Sequence, residues 1–352
     1  MCTNHSHHEH SHLHLPSSMV TRRSALRIGG IGIGAALLAA CSKSNESAPT
    51  TSLTEATTTT TSAVVSTSAV VSTSAVISTL AGFEYFADSV KVVNNGNLWL
   101  VESNGLPAHN MMVGITSWQQ QVPTSQPYTG TNAWQIPTNP VFADTPVSAK
   151  TQLYRGAIAL AVNGVPIFNA LNNRGDDAYL VGELDEWGGH AGRADDYHYH
   201  IAPLHLQEIV GNQSPIAYAL DGYAIYGETE PDGSAVATLD EFNGHEMADG
   251  SYHYHGTRTY PYINGGLRGV VSVVEDQIDP QPSTRPFRPA LEPLAGATIS
   301  SFETPITGSY KLGYTVKAMT GEVAYMVTDS SVAFTFTNID GTVTTATYAR
   351  TI

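Results

Sequence analysis

"GAIALAVNGVPIF", residues 156–168, sets two short apolar runs on either side of an Asn-Gly pair. Each run is too short for a stable helix, and Asn-Gly supplies the positive backbone angles that a two-residue hairpin turn requires. The stretch predicts strand, turn, strand. "IAYALDGYAIYG", residues 216–227, says the same with Asp221-Gly222 at the turn.

The likeness goes further. "VNGVPIF" (162–168) aligns with "LDGYAIY" (220–226) at an offset of 58. "LDEWGGH" (184–190) aligns with "LDEFNGH" (239–245), and Tyr197–His200 with Tyr252–His255, both at an offset of 55. Three elements in one order mark an internal duplication. Two copies of one β unit are expected to pack with pseudo-two-fold symmetry, their equivalent histidines either meeting or mirrored.

Each copy ends in a histidine, a seven-residue gap and His-x-His: His190 with His198 and His200, then His245 with His253 and His255. Strand residues i and i+2 share a face, so each His-x-His projects two imidazoles together and sends its tyrosines the other way. Two imidazoles on one face can share a metal at roughly 2.0–2.1 Å per nitrogen, and the third histidine completes a set of three. Gly188, Gly189 and Gly244 permit the sharp backbone that brings it back. Asp185, Glu186, Asp240 and Glu241 precede it and are candidates to orient an imidazole, to ligate, or to form a solvated turn. His109, in "GLPAHN", is a further candidate ligand. Asp195 and Asp196 read as turn formers. Pro231-Asp232-Gly233 reads as a tight turn, because the segment from Glu228 has Leu239 where a calcium loop needs a carboxylate.

The only cysteines are Cys2 and Cys41, so the body of the chain can hold neither a disulfide nor a thiolate metal site. A metal there must be taken by imidazole or oxygen donors, which points to copper or zinc. With 31 acidic against 16 basic residues, nucleic acid is not an expected partner. No P-loop, nucleophile elbow or dinucleotide fingerprint appears.

The 352 residues divide unevenly. Residues 1–41 read as a targeting segment. Arg22-Arg23 precedes an apolar run of about thirteen residues, too short for the roughly 20 that span a bilayer. The pair resembles a twin-arginine export signal. Leu38-Ala39-Ala40-Cys41 resembles a bacterial lipobox, which implies cleavage before Cys41, a lipid on its sulfur, and a membrane-anchored protein of the periplasm or cell surface. Cleavage would also remove the histidine tract of residues 5–16, and Met19 is an alternative start. Residues 42–80, rich in Ser and Thr, form a polar tether. Residues 81–279 hold the duplicated domain, including an aromatic-anchored long loop (105–140) with Trp118, Tyr128 and Trp134. Residues 280–295 are a Pro-rich linker. Residues 296–352 alternate at period two and predict a β-rich module of four or five antiparallel strands, with a turn at 339–342. The fold class is mainly β: an internally duplicated antiparallel domain with long loops, plus a C-terminal antiparallel extension.

"LDEWGGH…YHYHIAP", "YALDGYAIYG" and "LDEFNGH…YHYHGTRTYPYINGGLRG" resemble the YHYH domain family of secreted proteins. The resemblance spans roughly 85–278 and includes "NGLPAH" and "AWQIPTNP". It implies export but no particular activity. Family members commonly carry cysteines at the places of Trp187 and Phe242, and near Leu204 and Gly266; this chain carries none there. Three functions follow from these readings: a metal-binding exported lipoprotein, a structural or surface-binding module without metal, and a metal-dependent enzyme.

Overall fold

Both apolar pairs become hairpins. In the computed structural model, which describes residues 80–351, strand β1 (Ala157–Ala161) turns at Asn163-Gly164 into β2 (Pro166–Phe168). Gly164 takes a φ of 81°, and a Cβ there would fall 2.6 Å from that of Ser103, so the turn needs glycine twice over. A long loop then leads to β3 (Gly189–Ala191) and β4 (Tyr197–Tyr199). The second copy repeats the path with β5 (Ala217–Ala219), β6 (Ala224–Tyr226), β7 (Gly244–Glu246) and β8 (Tyr252–His255).

All eight strands share one sheet, ordered β7-β8-β6-β5-β1-β2-β4-β3. The order is a palindrome of the two copies. Its centre is the antiparallel pair β1–β5, where Leu160 lies opposite Tyr218. Those two residues are 58 apart, as the hairpins are, so each faces its own equivalent. Directly opposed residues point to the same side of a sheet, so the pseudo-two-fold axis runs normal to it. Every residue of β1 and β5 is buried, as expected of strands covered on both faces. The mainly β, duplicated reading holds, with one refinement. β2 pairs with β4, and β6 with β8, in parallel, because the long loop of each copy is a crossover and not a tight turn.

Trp118, Tyr128 and Trp134 of the 105–140 segment are all buried. A three-stranded antiparallel sheet (Lys91–Asn94, Leu98–Glu102, Trp134–Pro137) incorporates part of it. The C-terminal residues form a separate five-stranded antiparallel meander from Ala297 to Ala349, with its last turn at Asn338–Thr342. It docks on the long loop through backbone bonds between Ile299 and both Gly114 and Ile115, and through Tyr325, whose hydroxyl donates to Pro123 O at 2.6 Å. The Pro-rich stretch is pinned as well: Arg288 forms a buried bidentate ion pair with Asp195, both contacts at 2.6 Å. Among the described residues no helix is long and apolar enough to cross a membrane. The targeting segment, Cys41, the histidine tract and the tether lie outside the described residues.

Candidate metal centres

The edge hairpins β3–β4 and β7–β8 carry the histidines. His190 pairs directly across from His198, and His245 from His253. Cross-strand partners and i+2 neighbours share one face, so three rings of each copy meet. The equivalent histidines therefore mirror each other and do not merge. Five strand spacings of ~4.8 Å, or roughly 24 Å along the sheet, separate β4 from β8.

In the second copy the nitrogens close on one point. His245 Nε2 lies 3.0 Å from His253 Nε2 and 3.3 Å from His255 Nε2, and the latter two are 3.0 Å apart. Glu230 supplies a fourth donor, with Oε1 at 3.0 Å from His245 Nε2 and Oε2 at 3.1 Å from His253 Nε2 and 3.5 Å from His255 Nε2. A tetrahedral ion with bonds of ~2.05 Å has donor–donor edges of ~3.3 Å, in the middle of this range. His255 Nδ1 donates to Gly227 O at 2.8 Å, which leaves the lone pair on Nε2, facing the point of convergence.

The first copy repeats the imidazoles. His190, His198 and His200 offer ring nitrogens that all lie within 4.8 Å of one another, with the Nε2 atoms of His190 and His200 at 3.1 Å. His200 Nδ1 donates to Asn169 O at 2.5 Å and His198 Nδ1 to Asp196 O at 3.0 Å. Asn169 is the counterpart of Gly227, so the same carbonyl orients the same ring in both copies. Phe168 stacks on His198 with centroids 3.9 Å apart. Burial favours the neutral form of His190 and His200, the form a metal ligand needs. His200 is pulled down to about 3 by burial first and by the charge of His198 second. Burial likewise moves His190 well down, and lowers His253 and His255.

The tyrosines face the other way and hold the repeated aspartates of the motif in place. Tyr197 donates to Asp185, and Tyr252 to Asp240, each at 2.8 Å. Asp185 and Asp240 also accept the backbone N–H groups of the turns before β3 and β7. They orient those turns and contact no imidazole. Burial raises Asp185 to about 6. A Cβ on Gly189 or Gly244 would strike the hydroxyl of Tyr197 or Tyr252, so these glycines admit the tyrosines. The reversed backbone itself falls one residue earlier, at Gly188 (φ 85°) and Asn243 (φ 59°). Glu186 and Glu241 are exposed and approach no histidine.

His109 also sits apart from the two clusters. Its Nδ1 donates to Asn110 O at 2.6 Å and its Nε2 accepts from Tyr199 at 2.7 Å, so both nitrogens are engaged on the tyrosine face. Glu230 is the donor that sequence reasoning missed, because it lies in the Pro231-Asp232-Gly233 turn and its counterpart at an offset of 58, Asn172, is not an acid.

The surroundings differ too. His190, His198 and His200 all line a cavity of about 940 Å³, whose walls include Trp118, Arg193 and Gln281. Of the second group only His245 reaches a recess, of about 410 Å³.

The molecule is an internally duplicated β-sheet protein with a three-histidine cluster near each end of its sheet. Residues 133–236 match the family described as YHYH protein, so the chain carries a YHYH domain. That span includes His190, His198, His200 and Glu230 and ends before the second set of histidines. No curated protein and no solved structure matches the chain. The places where the resemblance implies cysteines are filled by close packing: the Trp187 ring lies 4.9 Å from that of His205, and a Cβ on Gly266 would fall 2.6 Å from Phe242 Cδ1.

Proposed function

We propose that this chain is an exported, lipid-anchored protein whose YHYH domain holds two transition-metal ions, copper or zinc, one in each copy. The observation that carries the reading is the convergence of His245, His253, His255 and Glu230 with donor separations of 3.0–3.5 Å. His255, whose Nδ1 donates to Gly227 O, has only a lone pair at Nε2 and turns it toward the other two rings and Glu230. A shared cation satisfies all four donors at once. Imidazole suits both copper and zinc.

Metal content of the purified protein tests this. Two equivalents of copper or zinc are expected, falling to one in His255→Ala and to one in His200→Ala. A protein that retains no metal after dialysis and gains no thermal stability from Cu(II) or Zn(II) would overturn the proposal. For the anchor, Cys41→Ser is expected to move the protein from the detergent phase to the aqueous phase in a phase-partition assay. Unchanged partitioning would remove Cys41 from the proposal and leave the metal reading standing.

A further inference from the structure

The two centres are built alike except in their fourth donor. Glu230 and Asn172 occupy one position of one turn: Glu230 N bonds Ser234 O and Gly233 N bonds Glu230 O, as Asn172 N bonds Asp176 O and Gly175 N bonds Asn172 O. Isolated bridges flank both turns equivalently, Thr229 with Ala235 and Leu171 with Asp177. The side chains then part. Glu230 turns its carboxylate onto three imidazoles. The Asn172 side chain is fully engaged elsewhere. Its amide donates to Glu183 at 3.1 Å, and its oxygen accepts from the backbone N–H groups of Arg174 and Asp176 at 2.9 and 3.1 Å. Glu183, itself buried, is held on its other oxygen by Arg174. Neither residue is available as a ligand without breaking this network.

A divalent ion in the second centre would have one of its two charges offset by Glu230. In the first it would have three neutral donors; the nearest carboxylate, Asp196, lies 3.4 Å from His198 Nδ1 and is not among the groups that converge. A buried charge with no anionic ligand is costly, so the first centre calls for one from outside. The space is there: all three of its histidines open on the 940 Å³ cavity, which is within the range of small-molecule sites.

We propose that the first centre keeps an open coordination position for an external anionic donor, a small molecule carrying a carboxylate, bound where Glu230 binds in the second centre. The second centre is closed and structural. Open positions mark catalytic metal sites and filled ones structural sites, so chemistry, where the protein performs any, belongs to the first copy. Arg193, exposed in the same cavity wall, adds a cation to that space.

This inference rests on the two-metal reading, and cobalt separates the two. The purified protein is loaded with Co(II), its cobalt content is measured, and azide and then acetate are titrated while the visible spectrum is followed. Two cobalt ions are expected, of which one responds to the anions. Asn172→Glu is expected to bring the number of responding ions to none, and Glu230→Asn to bring it to two. His200→Ala, which removes a ligand of the first centre, is expected to lose the responding ion and keep the silent one; loss of the silent ion instead overturns the inference, so the test stands even where Asn172→Glu or Glu230→Asn does not fold. A protein that takes up no cobalt overturns the two-metal reading and this inference with it. Two cobalt ions that both respond, or that both ignore azide and acetate, overturn the inference alone.

Discussion

Arg288→Ala removes the cation that holds the turn of the first histidine hairpin. Asp195 sits in that turn, between β3 and β4, at a φ of 56°. Its carboxylate accepts Arg288 Nε and Nη2 at 2.6 Å and Val122 N at 2.9 Å. Side-chain exposure is 4% for Arg288 and 2% for Asp195, so solvent screens almost nothing. Removing one member of such a pair strands a buried charge, at about 3–5 kcal/mol. The guanidinium also lies 4.7 Å from the Phe334 ring centroid, a contact worth roughly 0.5–1 kcal/mol more. At about 2 °C per kcal/mol for a domain of this size, the melting temperature should fall by roughly 7–12 °C. Urea unfolding of the purified protein measures the loss directly. The double variant Asp195→Asn, Arg288→Met should recover most of it, because the stranded charge is gone and the long apolar stem stays. A cost below about 1 kcal/mol for Arg288→Ala, or a double variant no better than the single one, would refute the reasoning.

Other expectations follow from the same geometry. Tyr254→Phe takes from buried Asp221 a donor at 2.6 Å and from Arg268 N its acceptor, at a cost of about 1–3 kcal/mol in urea unfolding, and an unchanged midpoint would count against a buried bond there. Gly244→Ala drives a methyl into the Tyr252 hydroxyl and should cost about 1–3 kcal/mol, whereas Gly250→Ala, at an open turn with φ 83°, should cost less; equal losses would show that backbone strain and not the tyrosine decides. His205 is pulled down to about 4 by burial first and by His109 second. Its folded value lies below its unfolded one, so the stability it contributes is present above about pH 6.5 and is lost as pH falls towards 4. Since His205 is half-buried, we expect about 1 kcal/mol of loss by pH 5 and its absence in His205→Phe; parallel pH curves for the two proteins would contradict it.

The duplication, the hairpins and the histidine sets were legible in the sequence, because each is a local pattern. An Asn-Gly or Asp-Gly between short apolar runs specifies a turn whatever surrounds it. His-x-His on a strand fixes two rings on one face by the period of the backbone. The same period sent the tyrosines away from them. Equal spacing in the two copies showed that each motif was a unit of three histidines, since β3 and β7 return antiparallel to the strands that follow them.

What the copies are to each other came from long-range packing. Whether six imidazoles make one cluster or two depends on strand order, and the palindrome puts the histidine hairpins at opposite ends of the sheet. The roles of Asp185 and Asp240 depended on which face their turns presented, and that face belongs to the tyrosines. Glu230 was hidden for a sharper reason. Comparison of the copies finds what both share, and the fourth donor is the position where they differ. A carboxylate becomes a ligand only when a crossover 15 residues away in sequence from His245 carries it to the same point in space. Likewise Pro-rich composition reads as linker, while Arg288 and Gln281 make that stretch part of the wall over the first centre.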